Sequence, residues 1–312
     1  MRIALLIVFS YEDSEESDIR WKLPGVEIDL FQSYLFVKNM NADIILVITD
    51  ISNNFHVSPL TSTIAKGIVN VEILNTIDKI KKDGNYWYYT HKNAMIKKIT
   101  HCIQNATELF IYYTGHGVNN KFVLPKIYKE FTYQDEVIND NLYSADKFMQ
   151  NILYNIKTPA AQIFIILDCC QLSTMKLSYR MDSKGYLSNK NSIYTPHYVL
   201  CFTSSLLDEN SIIVNHGSVF SRSIFKILRS IDEDNIYTSN YRSILNIYRE
   251  LNKDSVKINN QVSKLYFINF PSSNLYSSSA SIKMVWSWIF GHNDYYKIEI
   301  DHITSSIQIT IL

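Results

Sequence analysis

Six short runs of aliphatic, β-branched and aromatic residues, at about 3–9, 43–49, 108–113, 162–167, 197–203 and 265–270, recur along the chain, and helix-periodic stretches separate most of them. Runs of this length with little polar alternation fit strands covered on both faces. Strands of that kind alternating with helices imply an α/β domain: a mostly parallel sheet with helices packed on both sides. This pattern favours such a sheet before any motif is considered.

The segments between the runs support the same reading. From Val26 to Met40, the residues Val26, Leu30, Tyr34 and Val37 fall on one side of a helix. Thr90 reads as the N-cap of a helix carrying Met95, Ile96, Ile99 and Ile103, and Ser144 to Asn155 presents Phe148, Met149, Ile152 and Leu153 in the same way. Further helices are expected after Gly217 and from Ile244 to Leu251. Residues 51–89, rich in Asn, Ser and Lys around a helix near Ile73 to Ile80, read as an insertion. Residues 171–196 are polar and aperiodic, and a loop of that length is uncommon unless it has a function or is flexible. Beyond a Ser-rich linker at 277–281, Tyr296 to Ile300 and Ser306 to Ile311 alternate as half-buried antiparallel strands do. The expected division is one large domain over 1–272 and a small β-rich tail over 273–312.

Charge and cysteine content narrow the function classes. Thirty basic and thirty acidic residues cancel, so there is no electrostatic case for nucleic acid or an anionic membrane as the main partner. Four cysteines in 312 residues do not form a disulfide framework, which suits a reducing, cytoplasmic setting. The eight histidines show no paired Cys/His spacing of the zinc kind, so no metal site is expected. The apolar start, Met1 to Phe9, runs into Ser10-Tyr11-Glu12-Asp13 without a small-residue cleavage site and reads as the first strand. The apolar stretch from Met284 to Phe290 is too short to span a bilayer.

Two of the runs end in reactive chemistry. The first closes on Tyr112-Tyr113-Thr114-Gly115-His116-Gly117 and the second on Leu167-Asp168-Cys169-Cys170, with His116 and Cys170 separated by 54 positions. Reactive groups of open α/β sheets gather outside the carboxyl ends of the strands, so His116 and Cys170 could face each other across one cleft. A thiol beside an imidazole can cleave an acyl bond by nucleophilic attack and proton transfer. A thiol needs less activation than a hydroxyl, so no third acid is required.

In these residues the chain resembles the caspase-like cysteine peptidases, and metacaspases more than animal caspases; the His of such enzymes lies about 50 residues upstream of the Cys. The resemblance covers about residues 1–272 and implies the caspase-like fold, with a mostly parallel six-stranded sheet. It makes Cys170 the nucleophile, His116 its base, and Cys169 a bystander. It implies an oxyanion hole from the N–H groups of Gly117 and Cys170, and no cofactor. Metacaspases carry an acid two residues before the nucleophile, which matches Asp168. Leu23-Pro24-Gly25-Val26-Glu27-Ile28-Asp29 resembles their Gly-Cys-x-Asn-Asp segment, with Asp29 on the second pocket acid and Val26 and Ile28 in place of Cys and Asn. Thr114 stands where a pocket-lining Ser is common. A carboxylate-lined pocket attracts Arg or Lys and repels Asp, so the implied substrates are proteins or peptides with basic residues at the cleaved position.

The sequence also departs from the family pattern. Gln171-Leu172-Ser173 replaces the usual His-Ser-Gly after the nucleophile, and the only counterpart of an acidic calcium loop is Asp135-Glu136 with Asn139 and Asp140, which gives little support to calcium dependence. Caspase-like enzymes often mature by cutting the connection after the nucleophile strand, and here it carries Lys176, Arg180, Lys184 and Lys190 as candidate self-cleavage sites. Two functions stay open: a metacaspase-type endopeptidase, or a catalytically silent caspase-like protein that binds a protease, receptor or substrate without cutting it.

Overall fold

The computed structural model describes residues 1–11, 22–23, 25–51, 68–84, 86–125, 141–172, 177, 179–182, 185–188, 193–205, 211, 213–214, 217–233, 250–253, 263–268, 296–301 and 306–311. The first strands are β1 (Arg2–Val8), β2 (Ile44–Thr49), β3 (Tyr86–Tyr88) and β4 (Glu108–Thr114). A small antiparallel sheet follows, made of β5 (Gly117–Val118), β6 (Lys121–Val123) and β7 (Leu142–Ser144). Next come β8 (Gln162–Asp168), β9 (Tyr179–Asp182), β10 (Gly185–Ser188), β11 (Tyr198–Thr203), the short pair β12 (Ile213–Val214) and β13 (Gly217–Ser218), then β14 (Lys264–Ile268), β15 (Tyr296–Asp301) and β16 (Ser306–Ile311). The helices are α1 (Val26–Asn39), α2 (Ile68–Lys82), α3 (Lys92–Ile103), α4 (Ala145–Asn155) and α5 (Val219–Glu233).

Among the described residues the main sheet has nine strands in the order β10-β9-β14-β11-β8-β4-β1-β2-β3. Six of them, β11 to β3, run parallel, and β14, β9 and β10 continue the sheet antiparallel. The expected mostly parallel sheet is therefore present, with nine strands among the described residues where six were expected. β3 comes from the polar stretch read as an insertion, where three residues are too few to show a period. The stretch read as a loop over 171–196 contains the hairpin β9–β10, whose Tyr179, Arg180 and Met181 pair with β14. Their backbone groups are satisfied by the sheet edge, so no long apolar run was needed to form them.

Alternation along the strands sends successive side chains into two separate cores. Ala4, Leu6 and Val8, with Phe110, Tyr112, Phe164 and Ile166, join buried residues of α1, α2 and α5 on one face. Ile3, Leu5 and Ile7, with Leu109, Ile111, Tyr113, Ile163, Ile165 and Leu167, join those of α3 and α4 on the other. Helices thus cover both faces. α1 starts at Gly25, whose φ of 85° suits glycine. α3 starts one residue later than expected: its N-cap is His91 in extended backbone, with no side-chain capping bond, rather than Thr90. Ser144 does cap α4, accepting from the Lys147 N–H. In the tail, β15 and β16 pair antiparallel, as their alternation predicts. Of the expected helix from Ile244 to Leu251, all but its last two residues lie outside the described residues; 250–253 are helical and Leu251 is buried.

Phe110 lies at the centre of the first core, fully buried, with the rings of Phe36 and Phe164 each 5.4 Å away. Phe110→Ala should cost about 3–5 kcal/mol of unfolding free energy, read as a shift in the urea midpoint at unchanged slope.

Candidate active site

Parallel pairing of β4 with β8 puts Thr114 opposite Asp168. The chains then leave the sheet side by side: the Gly115 N–H donates to the Asp168 carbonyl at 3.3 Å, and the Asn120 N–H to the Gln171 carbonyl at 2.9 Å. The Asn119 N–H also donates to Gln171 Oε1 at 2.9 Å. Gln171, in left-handed backbone at φ 58°, therefore ties the β5–β6 turn to the segment after Cys170. Gly117 lies directly against that segment: a Cβ there would stand 2.2 Å from the Cys170 carbonyl oxygen and 3.2 Å from Cys169 Sγ. His116, Gly117 and Cys170 are half-buried, and Cys169 is fully buried in the α3/α4 core.

The His116 segment is held from the α3/α4 face by aromatic residues. The Tyr11 ring packs on the His116 ring with centroids 4.6 Å apart. The Tyr11 hydroxyl accepts from the His116 N–H at 2.8 Å and donates to the Val123 carbonyl at 2.6 Å. The Tyr113 hydroxyl donates to the His116 carbonyl at 3.1 Å. Both phenols press on Gly115, where a Cβ would lie 2.8 Å from each hydroxyl. The glycine before the histidine is thus required by packing. Tyr11 is itself fixed by Asp50, just past β2, which accepts from the N–H groups of Ser10 and Tyr11 at 2.7 and 2.6 Å.

The acids lie on the opposite, α1/α5 face. Asp168 is fully buried and accepts from Ser211 Oγ at 2.6 Å, from the Ser221 N–H at 3.2 Å and from the Ser221 hydroxyl. Asp29, on α1, is equally buried, and both its oxygens accept from the Ser218 N–H at 3.0–3.1 Å. Gly217, at φ 88°, makes this possible, since a Cβ there would come 2.5 Å from Asp29 Oδ1. Burial raises both carboxyls above the usual range; the charge of Asp168 pushes Asp29 further up, while the serine donors oppose the shift. Ser211 joins this acid to the thiol: its N–H donates to Cys170 Sγ at 3.2 Å. Burial also pushes the Cys170 thiol up, the Ser211 N–H pulls it down, and Asp168 adds to the rise.

The structure therefore brings together the Gly115–Gly117 segment, Cys170, Asp168 and Thr114 at one sheet edge, with Asp29 close enough to repel Asp168. Arg180 is in β9, and Lys176, Lys184 and Lys190 lie outside the described residues, as do Asp135, Glu136, Asn139 and Asp140. Tyr11, Asp50, Ser211, Ser218 and Ser221 were not visible as site residues in the sequence. Their types are common, and only the fold brings them here.

Two measurements check this arrangement. Gly117→Ala should cost about 1–3 kcal/mol in denaturant titration, because the new methyl meets backbone that cannot rotate away; an unchanged midpoint would show that the two segments do not touch. Asp50 is pushed up to about 7 by burial, against its backbone hydrogen bonds. Folded protein then holds that proton more tightly than unfolded chain, whose Asp titrates near ~3.9. The stability this contributes is fully present below about pH 4 and is lost as pH rises through about 7. Asp50→Asn should flatten stability over that window, measured by urea midpoints from pH 4 to 8.

The Caspase domain family matches residues 85–269, more than half of the chain, and spans both His116 and Cys170. Among solved structures, the chain is similar to caspase-1 from Spodoptera frugiperda at 13% identity and a TM-score of 0.44, covering 85% of each chain. It is also similar to protein GSU0716 from Geobacter sulfurreducens at 12% identity and a TM-score of 0.42, covering 85% of this chain and 92% of that one. No curated protein matches it in sequence. Among the described residues no helix is long and apolar enough to cross a membrane. With this match over the strands that carry both motifs, the chain belongs to the caspase-domain family of cysteine peptidases.

Proposed function

We propose that the protein is a metacaspase-type endopeptidase that cleaves after Arg or Lys, with Cys170 as nucleophile and His116 as acid and base. The observation that carries this reading is the Ser211 bridge, whose N–H reaches Cys170 Sγ and whose hydroxyl reaches Asp168. Nucleophile and pocket acid are one residue's reach apart, as a substrate needs whose carbonyl meets the thiol while its side chain meets the acid. Burial keeps Cys170 a thiol at rest, so His116 must take its proton as sulfur attacks the carbonyl carbon. The N–H groups of Gly117 and Cys170 would hold the resulting oxyanion. His116 then returns the proton to the leaving amine, and water hydrolyses the thioester. A guanidinium or ammonium entering the pocket displaces the Ser211 hydroxyl from Asp168 and favours the ionised form of both acids, Asp29 included. Thr114, opposite Asp168, lines the same wall.

In this reading residues 1–272 form the peptidase domain and 273–312 an appended tail. Self-cleavage within 176–190 falls first on Lys176, Lys184 or Lys190, because the backbone of Arg180 is paired with Leu187 and Tyr266. The silent alternative draws on the same bridge: Ser211 already occupies both groups that a substrate would use.

Fluorogenic peptides ending in Arg, Lys or Asp separate these readings. Wild-type protein should cleave the first two, and Cys170→Ala should cleave none and remain intact by mass spectrometry where the wild type is cut at a lysine of 176–190. Asp168→Asn should lose at least about thirtyfold in kcat/KM on Arg peptides. Efficient turnover of Asp-ending peptides would sink the basic specificity, and no turnover of any peptide would favour the silent protein.

A further inference from the structure

Tyr11 has left-handed backbone, φ 59°, which costs a non-glycine residue about 1–2 kcal/mol. The conformation is maintained by a carboxylate from the next strand. One oxygen of Asp50 takes the Ser10 N–H at 2.7 Å and the Ser10 hydroxyl at 3.2 Å, and the other takes the Tyr11 N–H at 2.6 Å. β1 and β2 pair in parallel up to Val8 and Thr49, which brings the two strand ends together. The clamp holds the Ser10–Tyr11 backbone in the turn that carries the Tyr11 ring to His116.

Turned in this way, Tyr11 meets His116 twice. Its ring covers the imidazole at 4.6 Å with the planes inclined by 47°, and its hydroxyl fixes the His116 N–H against the Val123 carbonyl. Burial pushes the phenol far above its usual range, so the hydroxyl keeps the proton it donates to Val123. Tyr113 holds the His116 carbonyl from the same face. The N–H and the carbonyl of His116 are therefore both held, and one ring face is backed by a pinned aromatic.

We propose that Tyr11, clamped by Asp50, is the positioning residue for the His116 imidazole. A proton-transferring His must stay within hydrogen-bond reach of the atoms it serves, and a displacement of ~1 Å can cost ~100-fold in rate. A phenol, itself held by a carboxylate, performs the orienting task that an acid performs for the histidine of a Ser-His-Asp triad. The proposal deepens the peptidase reading and rests on it for its kinetic arm alone.

Tyr11→Phe keeps the ring and removes the hydroxyl, and Asp50→Asn keeps the shape and removes one acceptor. Each variant is examined by NMR of the His116 side chain, assigned by the signals lost in His116→Ala, and by kcat and KM on an Arg-ending peptide. Both variants should move the His116 signals and their titration midpoint. Both should lower kcat roughly ten- to a hundredfold with KM held within about twofold. Adding Tyr11→Phe to His116→Ala should slow the enzyme no further. His116 signals that superimpose on the wild type in both variants overturn the proposal, as does a rise in KM at constant kcat. Should Tyr11→Phe fail to fold, Asp50→Asn carries the same readouts. A wild type that turns over no peptide sinks the peptidase reading, and the NMR comparison still decides the role of Tyr11.

Discussion

The site depends on the parallel register between β4 and β8. With Thr114 opposite Asp168, the two strands end together, and the bond from the Gly115 N–H to the Asp168 carbonyl carries the pairing one step beyond them. A slip of one residue would turn Asp168 into the α3/α4 core and Leu167 towards the serines, because side chains alternate across a strand. His116 and Cys170 are 54 positions apart in the chain, and this ladder runs the segments that carry them side by side.

The sheet also separates two tasks. On the α3/α4 face, Tyr11 and Tyr113 form a rigid support for the His116 peptide, reinforced by Phe9 and Phe122, whose rings lie 6.2 and 4.3 Å from that of Tyr113. On the α1/α5 face, serines at the start of α5 surround two carboxyls, and the Tyr112 hydroxyl joins the network at Ser221, 2.7 Å away. The apolar support holds geometry, whereas the hydroxyl cage satisfies buried oxygens that would otherwise be costly to desolvate. Cys170 stands at the border between them, half-buried.

Such a site opposes stability in several places. Tyr11 and Gln171 have left-handed backbone, Gly115 and Gly117 leave no room for a side chain, and Asp29, Asp50 and Asp168 are buried without exposure. Strain and buried acids of this kind persist only where the surrounding structure over-determines them. Here the two hydrophobic cores do so, since every strand that ends at the site is covered on both faces.

Much of this was legible in the chain itself. Uninterrupted runs such as Glu108–Thr114 and Gln162–Asp168 declare buried parallel strands, and Gly-His-Gly and Asp-Cys-Cys at their ends declare the reactive edge. The direction of β14, the three-residue β3 and the polar hairpin β9–β10 were not legible, because sheet-edge pairing formed them without a hydrophobic period. The roles of Tyr11, Asp50 and Ser211 were hidden for a related reason: a tyrosine, an aspartate and a serine carry no local pattern that marks a partner about 40 or more than 100 residues away. Residue type and periodicity determined which segments become strands and which atoms can react. Only tertiary packing decided which buried groups hold those atoms, because hydrogen bonds and ring contacts act over a few ångströms of space whatever the distance along the chain.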